Sequence, residues 1–129
     1  MFNLKVLSRE VTEDVLKMPE VIDTVREVYQ LKAKGDTTVF PLVFHEFEPG
    51  VADMDIKSGW LKGSDIFGLK VVSWFGDNAD KGLPALIGTI MVMDAATGAP
   101  IGILDGSHIT GIRTGAAGAI GAKALAREN

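Results

Sequence analysis

Residues 86–129 read LIGTIMVMDAATGAPIGILDGSHITGIRTGAAGAIGAKALAREN, and they contain the junction that decides the fold. Two apolar runs flank a turn at residues 94–98, a pattern typical of a β-hairpin. A helix rich in glycine and alanine follows, for which Ser107 or Thr110 is the predicted N-cap. Because no helix separates the two strands, the pattern favours an α+β organisation over a doubly wound parallel sheet.

The segments before the hairpin extend this arrangement. Ser8 can cap a first helical turn, Pro19 suits the start of the main helix, and Gly35 is a natural end to it. Residues 37–75 then carry β-branched and aromatic runs of strand length. The sequence therefore predicts an N-terminal helix, a mixed or antiparallel sheet of about five to six strands and a C-terminal Gly/Ala-rich helix, in a single domain over residues 1–129.

The composition excludes several classes of function. Of 129 residues, 47% are hydrophobic and 23% are charged, as in ordered globular proteins. The net charge of −4, without a run of Lys or Arg, argues against a nucleic-acid partner. The absence of cysteine excludes disulfides, thiolate zinc sites and cysteine nucleophiles. No apolar run reaches a membrane span and no signal-peptide pattern opens the sequence, so we expect a cytoplasmic protein without a membrane partner.

The glycines of the C-terminal segment do not form a phosphate-binding loop. Residues 111–121, GIRTGAAGAIG, contain no Gly-x-Gly, and Lys123 stands between two alanines rather than in a Gly-Lys-Ser/Thr motif. The interpretation is a buried helix whose small side chains let another backbone pack closely. Arg113 is predicted to lie near the positive N-terminal end of this helix, where it either binds an anion or is a surface arginine beside an acid.

Lys70 is unusual in an otherwise apolar stretch, FGLKVVSWF at residues 67–75. A buried ammonium group must find a carboxylate partner or lose much of its solvation energy. One interpretation is a lysine at the strand's edge whose side chain reaches solvent. The other is a functional lysine that binds a substrate carboxylate or transfers a proton.

Other polar residues carry weaker signals. His45 and His108 lie in different predicted elements, and this spacing does not predict a metal site. Asp53, Asp55 and Lys57 alternate onto one strand face, which indicates either a polar site or a solvated strand.

Three stretches together resemble the N-terminal half of the ornithine cyclodeaminase/mu-crystallin family. They are residues 67–86, FGLKVVSWFGDNADKGLPAL, residues 93–106, MDAATGAPIGILDG, and residues 109–126, ITGIRTGAAGAIGAKALA. The motif RTGAAG, residues 113–118, is most similar to the archaeal alanine dehydrogenase branch. The resemblance implies an NAD(P)-dependent oxidoreductase or cyclodeaminase of ornithine cyclodeaminase, alanine dehydrogenase or ketimine reductase type, acting on a small amino or imino acid.

The resemblance also implies roles for individual residues. Lys70 would meet the substrate and assist proton transfer, and Arg113 would hold the substrate carboxylate near the nicotinamide. Thr114 and the loop around Pro84 and Ala85 would approach the cofactor, NAD or NADP. The sheet would form the interface of a homodimer.

Two departures from the family pattern affect these expectations. Many members carry a carboxylate-binding arginine in the segment that matches residues 40–47, or near the one that matches residues 51–55. This sequence has no arginine in either stretch, and Lys57 could substitute. The family's Rossmann domain, expected just after residues 123–129, is absent from the sequence. We therefore expect a fragment rather than a natural stand-alone module, inactive by itself and without tight binding of NAD or NADP.

Two other functions are compatible with the sequence. One is a non-catalytic module that binds a small ligand or dimerises. The other is a self-contained lyase or hydrolase that uses Lys70 and a nearby aspartate.

Overall fold

The computed structural model describes residues 2–127, over which the chain forms three α-helices and one seven-stranded sheet. Residues 128 and 129, where the sequence predicts passage into a cofactor domain, lie outside the described residues. A 3-10 helix, Gly76–Lys81, links the fifth strand to the sixth. The other elements are β1 Lys5–Leu7, α1 Arg9–Val15, α2 Met18–Lys34, β2 Thr37–Val39, β3 Val43–Glu48, β4 Ala52–Leu61, β5 Ile66–Phe75, β6 Leu86–Asp94, β7 Pro100–Asp105 and α3 Gly106–Leu125.

The sheet is mixed, and the α+β prediction is confirmed. Its centre is an antiparallel meander of β4, β5, β6 and β7. β1 extends it by parallel pairing with β7, while β2 and β3 pair with different parts of β4. The described residues form more strands than the predicted five to six, since β1 and β2 have three residues each and are too short to show an alternating pattern.

The N-terminal helical region consists of two helices, α1 and α2. Ser8 occupies the N-cap position of α1, but its side chain makes no capping hydrogen bond, whereas the signals at both ends of α2 are confirmed. Pro19 lies in the first turn of α2, where its missing N–H needs no partner. Gly35 ends α2 in the left-handed conformation, at φ 81°, and its N–H bonds to the carbonyls of Leu31 and Lys32. α2 packs along α3, and α1 contacts both α3 and β7.

The N-cap of α3 differs from the prediction. Asp105 caps the helix, because its carboxylate accepts hydrogen bonds from the backbone N–H groups of Ser107, at 3.3 Å, and His108, at 2.8 Å. Ser107 and Thr110, the predicted caps, are already helical. Their hydroxyls bind elsewhere: Ser107 accepts a hydrogen bond from the N–H of Gly88, and Thr110 accepts one from Lys70.

Close backbone packing of α3 occurs at its first residue. A Cβ atom on Gly106 would lie 2.6 Å from the carbonyl carbon of Gly88, so the two backbones touch where helix and sheet meet. The prediction that the whole helix is buried is wrong for the described residues. Cβ atoms on Gly111, Gly118 and Gly121 would meet nothing within 4 Å, whereas one on Gly115 would lie 3.3 Å from the side chain of Met18 in α2.

The described helices lie on one face of the sheet, and the other face is uncovered. Contacts of α3 with Lys70 and Gly88 identify the helix-covered face. Side chains alternate along each strand, so Val6, Val43 and Ile87 project from the opposite face, where they are 72%, 51% and 43% exposed. The uncovered face is therefore apolar.

Candidate functional site

Two lysines on neighbouring strands form the centre of the candidate site. Lys57 stands directly opposite Lys70 in the β4–β5 pairing, so both side chains project from the same face of the sheet, the one that the helices cover. The side chain of Lys57 is 59% exposed, whereas Lys70 is half-buried beside α3. Lys70 lies in the middle of β5, which itself lies between β4 and β6, so the interpretation of a lysine at the strand's edge is wrong.

The ammonium group of Lys70 has a neutral partner. Its Nζ donates a hydrogen bond of 3.0 Å to Oγ1 of Thr110, and no carboxylate of the described residues lies within ion-pair distance. Burial lowers the pKa of Lys70, and the charges of Arg113 and Lys57 lower it further, against an opposing effect of Asp55. A lysine of this kind is suited to binding an anion and exchanging a proton.

Arg113 lies three residues after Thr110, on the same side of α3. Its side chain is exposed and makes no ion pair over residues 2–127. Because α3 begins at Gly106, Arg113 lies beyond the first turn, within which the helix dipole mainly acts, so the prediction that it lies near the positive N-terminal end is wrong. Anion binding here would depend on the guanidinium itself, which is near enough to lower the pKa of Lys70.

Asp55 forms an ion pair with Lys57, the more exposed of the two lysines. Its Oδ2 accepts a hydrogen bond of 2.9 Å from Nζ of Lys57. Its Oδ1 is buried and has no hydrogen-bond partner among the described residues. The predicted alternation of Asp53, Asp55 and Lys57 onto one face is confirmed by the β4–β5 register. The solvated-strand interpretation does not fit Asp55, whose side chain is only 21% exposed.

A hollow of about 320 Å³ adjoins the two lysines. Gly59 and Gly68, which pair with each other across β4 and β5, form its floor, and Ile90 lines one wall. Side chains are excluded from the floor, since a Cβ on Gly59 would lie 2.8 Å from the carbonyl oxygen of Thr38 and one on Gly68 would lie 3.0 Å from that of Met91. The sheet thus leaves an open space beside Lys70.

Thr114 and Ala85, two of the residues predicted to approach a cofactor, lie in different places. Thr114 is exposed on the turn of α3 that follows Thr110, and its hydroxyl donates a 2.6 Å hydrogen bond to the carbonyl oxygen of Thr110. Ala85 lies just before β6, five residues from Ile90, which pairs with Lys70. At about 3.4 Å per residue the separation along the strand is about 17 Å. The structure therefore places Lys70 beside Lys57 and against the part of α3 that carries Arg113 and Thr114, and it holds Ala85 apart.

Thr110 is the site residue that sequence reasoning missed. It was interpreted only as a possible helix cap, yet its hydroxyl is the hydrogen-bond acceptor for Lys70. Its spacing of three residues from Arg113 was the available signal, since such residues share one side of a helix.

A second concave region among residues 2–127 lies apart from the two lysines. A larger cavity, of about 620 Å³, lies between Arg9, Met18, Leu86 and His108 and does not include Lys70 or Arg113. Within residues 2–127, no three histidine, aspartate or glutamate side chains are grouped as metal ligands. His45 instead contacts the ring of Phe47 edge-on, at 5.0 Å between ring centroids. No helix in this part of the chain has the length and apolar character needed to cross a bilayer.

Comparison with known proteins identifies relatives along the whole chain. Alanine dehydrogenase of Archaeoglobus fulgidus is 38% identical over 124 residues, which are 96% of this chain and 37% of that protein. The structure of an archaeal alanine dehydrogenase dimer with bound NAD superposes with a TM-score of 0.91 at 36% identity, covering 98% of this chain and 38% of that one.

A reductase gives a similar match. The structure of Thermococcus litoralis Δ1-pyrroline-2-carboxylate reductase in complex with NADH and L-proline superposes with a TM-score of 0.90 at 34% identity, covering 95% of this chain and 38% of that one. The chain thus spans less than two fifths of the length of these relatives. The model of the ornithine cyclodeaminase/mu-crystallin family matches residues 3–129, and the chain belongs to this family.

Proposed function

We propose that this chain is the substrate-binding and dimerisation part of an NAD(P)-dependent oxidoreductase or cyclodeaminase that acts on an amino or imino acid. The observation that carries the proposal is the pair Lys57 and Lys70 at one hollow, with the charge of Arg113 close enough to lower the pKa of Lys70. Membership of a family that includes an alanine dehydrogenase and a pyrroline-2-carboxylate reductase supports the reaction class.

Lys70 is the proposed catalytic residue. Its lowered pKa increases the fraction of neutral amine at a given pH, which favours proton exchange with the substrate. Arg113 offers a planar guanidinium that can bind a carboxylate with two parallel hydrogen bonds. Lys57 supplies a further cation at the outer side of the hollow. Together these residues would orient the acid group of the substrate.

NAD or NADP would supply the hydride acceptor or donor. Arg113, Thr114 and Ala85 are the residues proposed on the cofactor side. Space for an approaching group remains beside Gly111 and Gly118 of α3, because a Cβ on either would meet nothing within 4 Å among the described residues. The sequence contains no Gly-x-Gly-x-x-Gly, so these residues could form only one side of a cofactor site. We expect no tight binding of NAD(P) by the 129 residues alone.

The uncovered face of the sheet is the proposed homodimer interface. Its exposed Val6, Val43 and Ile87 form an apolar surface of the kind that a second subunit covers. One matching structure is described as an alanine dehydrogenase dimer, which supports association of two subunits here.

A ligand titration tests the proposal. Pyruvate added to the 129-residue chain should shift the NMR signals of the Lys70 and Arg113 side chains, and Lys70→Met should abolish this response while dimerisation is unchanged. Lys81→Met, an exposed lysine of the 3-10 helix, is the matched control and should respond like the wild type.

Three results would count against the proposal. Tight NADH binding in calorimetry would contradict the view that the cofactor site is incomplete. Unchanged pyruvate binding by Lys70→Met would show that Lys70 is not part of a substrate site. If Lys70→Met fails to fold, the lysine has a structural role instead.

A further inference from the structure

We infer that Asp55 is a positioning residue that acts through Lys70, because its buried, unpaired Oδ1 can accept the ammonium group of that lysine in place of Thr110. Lys70 would then have two positions, one against α3 and one against β4. This inference rests on the proposed function, in which Lys70 is the catalytic residue, and it adds the carboxylate that stabilises the charged form of that lysine.

One oxygen of Asp55 is bonded and the other is free. Oδ2 accepts the 2.9 Å hydrogen bond from Nζ of Lys57, whereas Oδ1 is buried and has no hydrogen-bond partner among residues 2–127. A buried carboxylate oxygen without a donor destabilises the folded chain, because its hydration is lost and not replaced. A donor that reaches Oδ1 would remove this cost.

The register of β4 against β5 makes Asp55 a neighbour of Lys70. Lys57 is directly opposite Lys70, so Asp55, two residues earlier, is the diagonal neighbour of Lys70 on the same face. Diagonal neighbours have Cβ atoms about 7–8 Å apart, a distance that long side chains bridge. An ammonium group has three N–H donors, and the 3.0 Å bond to Thr110 uses one of them. Lys70 can therefore supply the missing donor by turning from α3 toward β4.

The charges around Lys70 give the second position a function. The facing groups on β4 are Lys57 and Asp55, α3 contributes Arg113, and Ile90 on β6 carries no charge. Burial, Arg113 and Lys57 lower the pKa of Lys70, and among these groups only Asp55 raises it. A carboxylate binds an ammonium about twice as strongly as a neutral donor, whereas the hydroxyl on α3 accepts from either form. Movement between the two positions would therefore accompany proton exchange.

An NMR titration tests the inference without a ligand. The ¹³Cε signal of Lys70, followed against pH, gives the ratio of ammonium to neutral amine. In Asp55→Asn, which keeps the shape and removes the charge, we expect this ratio at a given pH to fall by about threefold, as for the loss of one partly solvated charge pair. Asp53→Asn, on the same face but opposite Trp74, is the matched control and should keep the wild-type ratio.

The two positions of Lys70 also determine the effect of Thr110→Val on its pKa. If Lys70 turns to Asp55 when the hydroxyl is absent, the charge pair raises the pKa of Lys70 above its wild-type value. If Asp55 is out of reach, the ammonium loses its acceptor without replacement and the pKa falls. We expect the rise, and the double variant Thr110→Val/Asp55→Asn should lose it.

The outcomes separate this inference from the proposed function. A wild-type ratio in Asp55→Asn, or a lower pKa of Lys70 in Thr110→Val, overturns the role of Asp55 and leaves the carboxylate site intact, since neither titration contains a ligand. If Asp55→Asn fails to fold, Thr110→Val still decides. The proposed function itself fails if pyruvate does not shift the Lys70 and Arg113 signals of the wild type.

Discussion

Nζ of Lys70 and Oγ1 of Thr110 are 3.0 Å apart, although forty residues separate them in the chain. Their hydrogen bond joins the interior of the sheet to α3 and gives a half-buried charge a neutral acceptor. Because Arg113 lies on the same side of α3 as Thr110, the bond also helps to determine how the lysine and the arginine face one another. This contact between helix and sheet therefore organises the candidate site.

Thr110→Val removes the acceptor and keeps the shape of the side chain. We expect the free energy of unfolding to fall by about 1 kcal/mol, since Lys70 would lose its hydrogen-bond partner. Urea denaturation measures the change. Thr24→Val on α2 is the control, because its hydroxyl bonds to a backbone carbonyl on an exposed helix surface. If the free energy of unfolding falls equally in the two variants, the hydrogen bond from Lys70 to Thr110 does not contribute to stability.

The lowered pKa of Lys70 predicts a dependence of stability on pH. In the unfolded chain this lysine titrates near its ordinary value of 10.5, and in the folded chain it titrates lower. Between these two values the unfolded chain binds more protons, so the free energy of unfolding rises with pH in that window. Below the folded pKa, the cost of burying the charged lysine is present in full.

We therefore expect the free energy of unfolding of the wild type to rise relative to that of Lys70→Met as the pH rises toward 10.5. Urea unfolding at a series of alkaline pH values measures it. Lys81→Met should keep a constant difference from the wild type across the same range. If the difference in the free energy of unfolding between wild type and Lys70→Met is also constant with pH, folding does not lower the pKa of Lys70.

Gly106→Ala should strongly destabilise the protein. The new Cβ would lie 2.6 Å from a backbone carbon of Gly88, and neither backbone can move without disturbing the joint between α3 and β6. Overpacking of this kind costs about 1–3 kcal/mol. Gly118→Ala is the matched substitution in the same helix, where the Cβ would meet nothing within 4 Å. It should increase stability by up to about 1 kcal/mol through helix propensity, and thermal melts of both variants would reveal opposite signs.

Ile87→Glu should separate the subunits if the uncovered sheet face is the dimer interface. The side chain is 43% exposed on that face, and a buried carboxylate without a partner would weaken association. Sedimentation velocity would report a shift from dimer to monomer. Leu83→Glu, in the loop before β6, is the control and should leave the assembly unchanged. A dimer that persists in Ile87→Glu would place the interface elsewhere.

Local signals in the sequence were sufficient for most of the fold. Pro19 and Gly35 delimit α2 through properties of single residues, a fixed φ and a tolerated left-handed conformation. The hairpin of β6 and β7 was predictable because its turn carries its own bonds, with Asp94 Oδ1 accepting from the N–H groups of Ala96 and Thr97. The three-residue strands carry no such signal, because their pairing depends on distant partners.

The sequence by itself determined that a lysine interrupts an apolar strand and that an arginine interrupts a glycine-rich helix, since both are visible as local exceptions to a pattern. Only the tertiary structure decided what surrounds them. The register of β4 against β5 places Lys57 opposite Lys70, and a shift of one residue would move Lys57 to the other face. The cap at Asp105 sets where α3 begins, and the packing of that helix on the sheet brings Thr110 to Lys70. Register and helix docking depend on contacts between residues far apart in the chain, which no local pattern encodes.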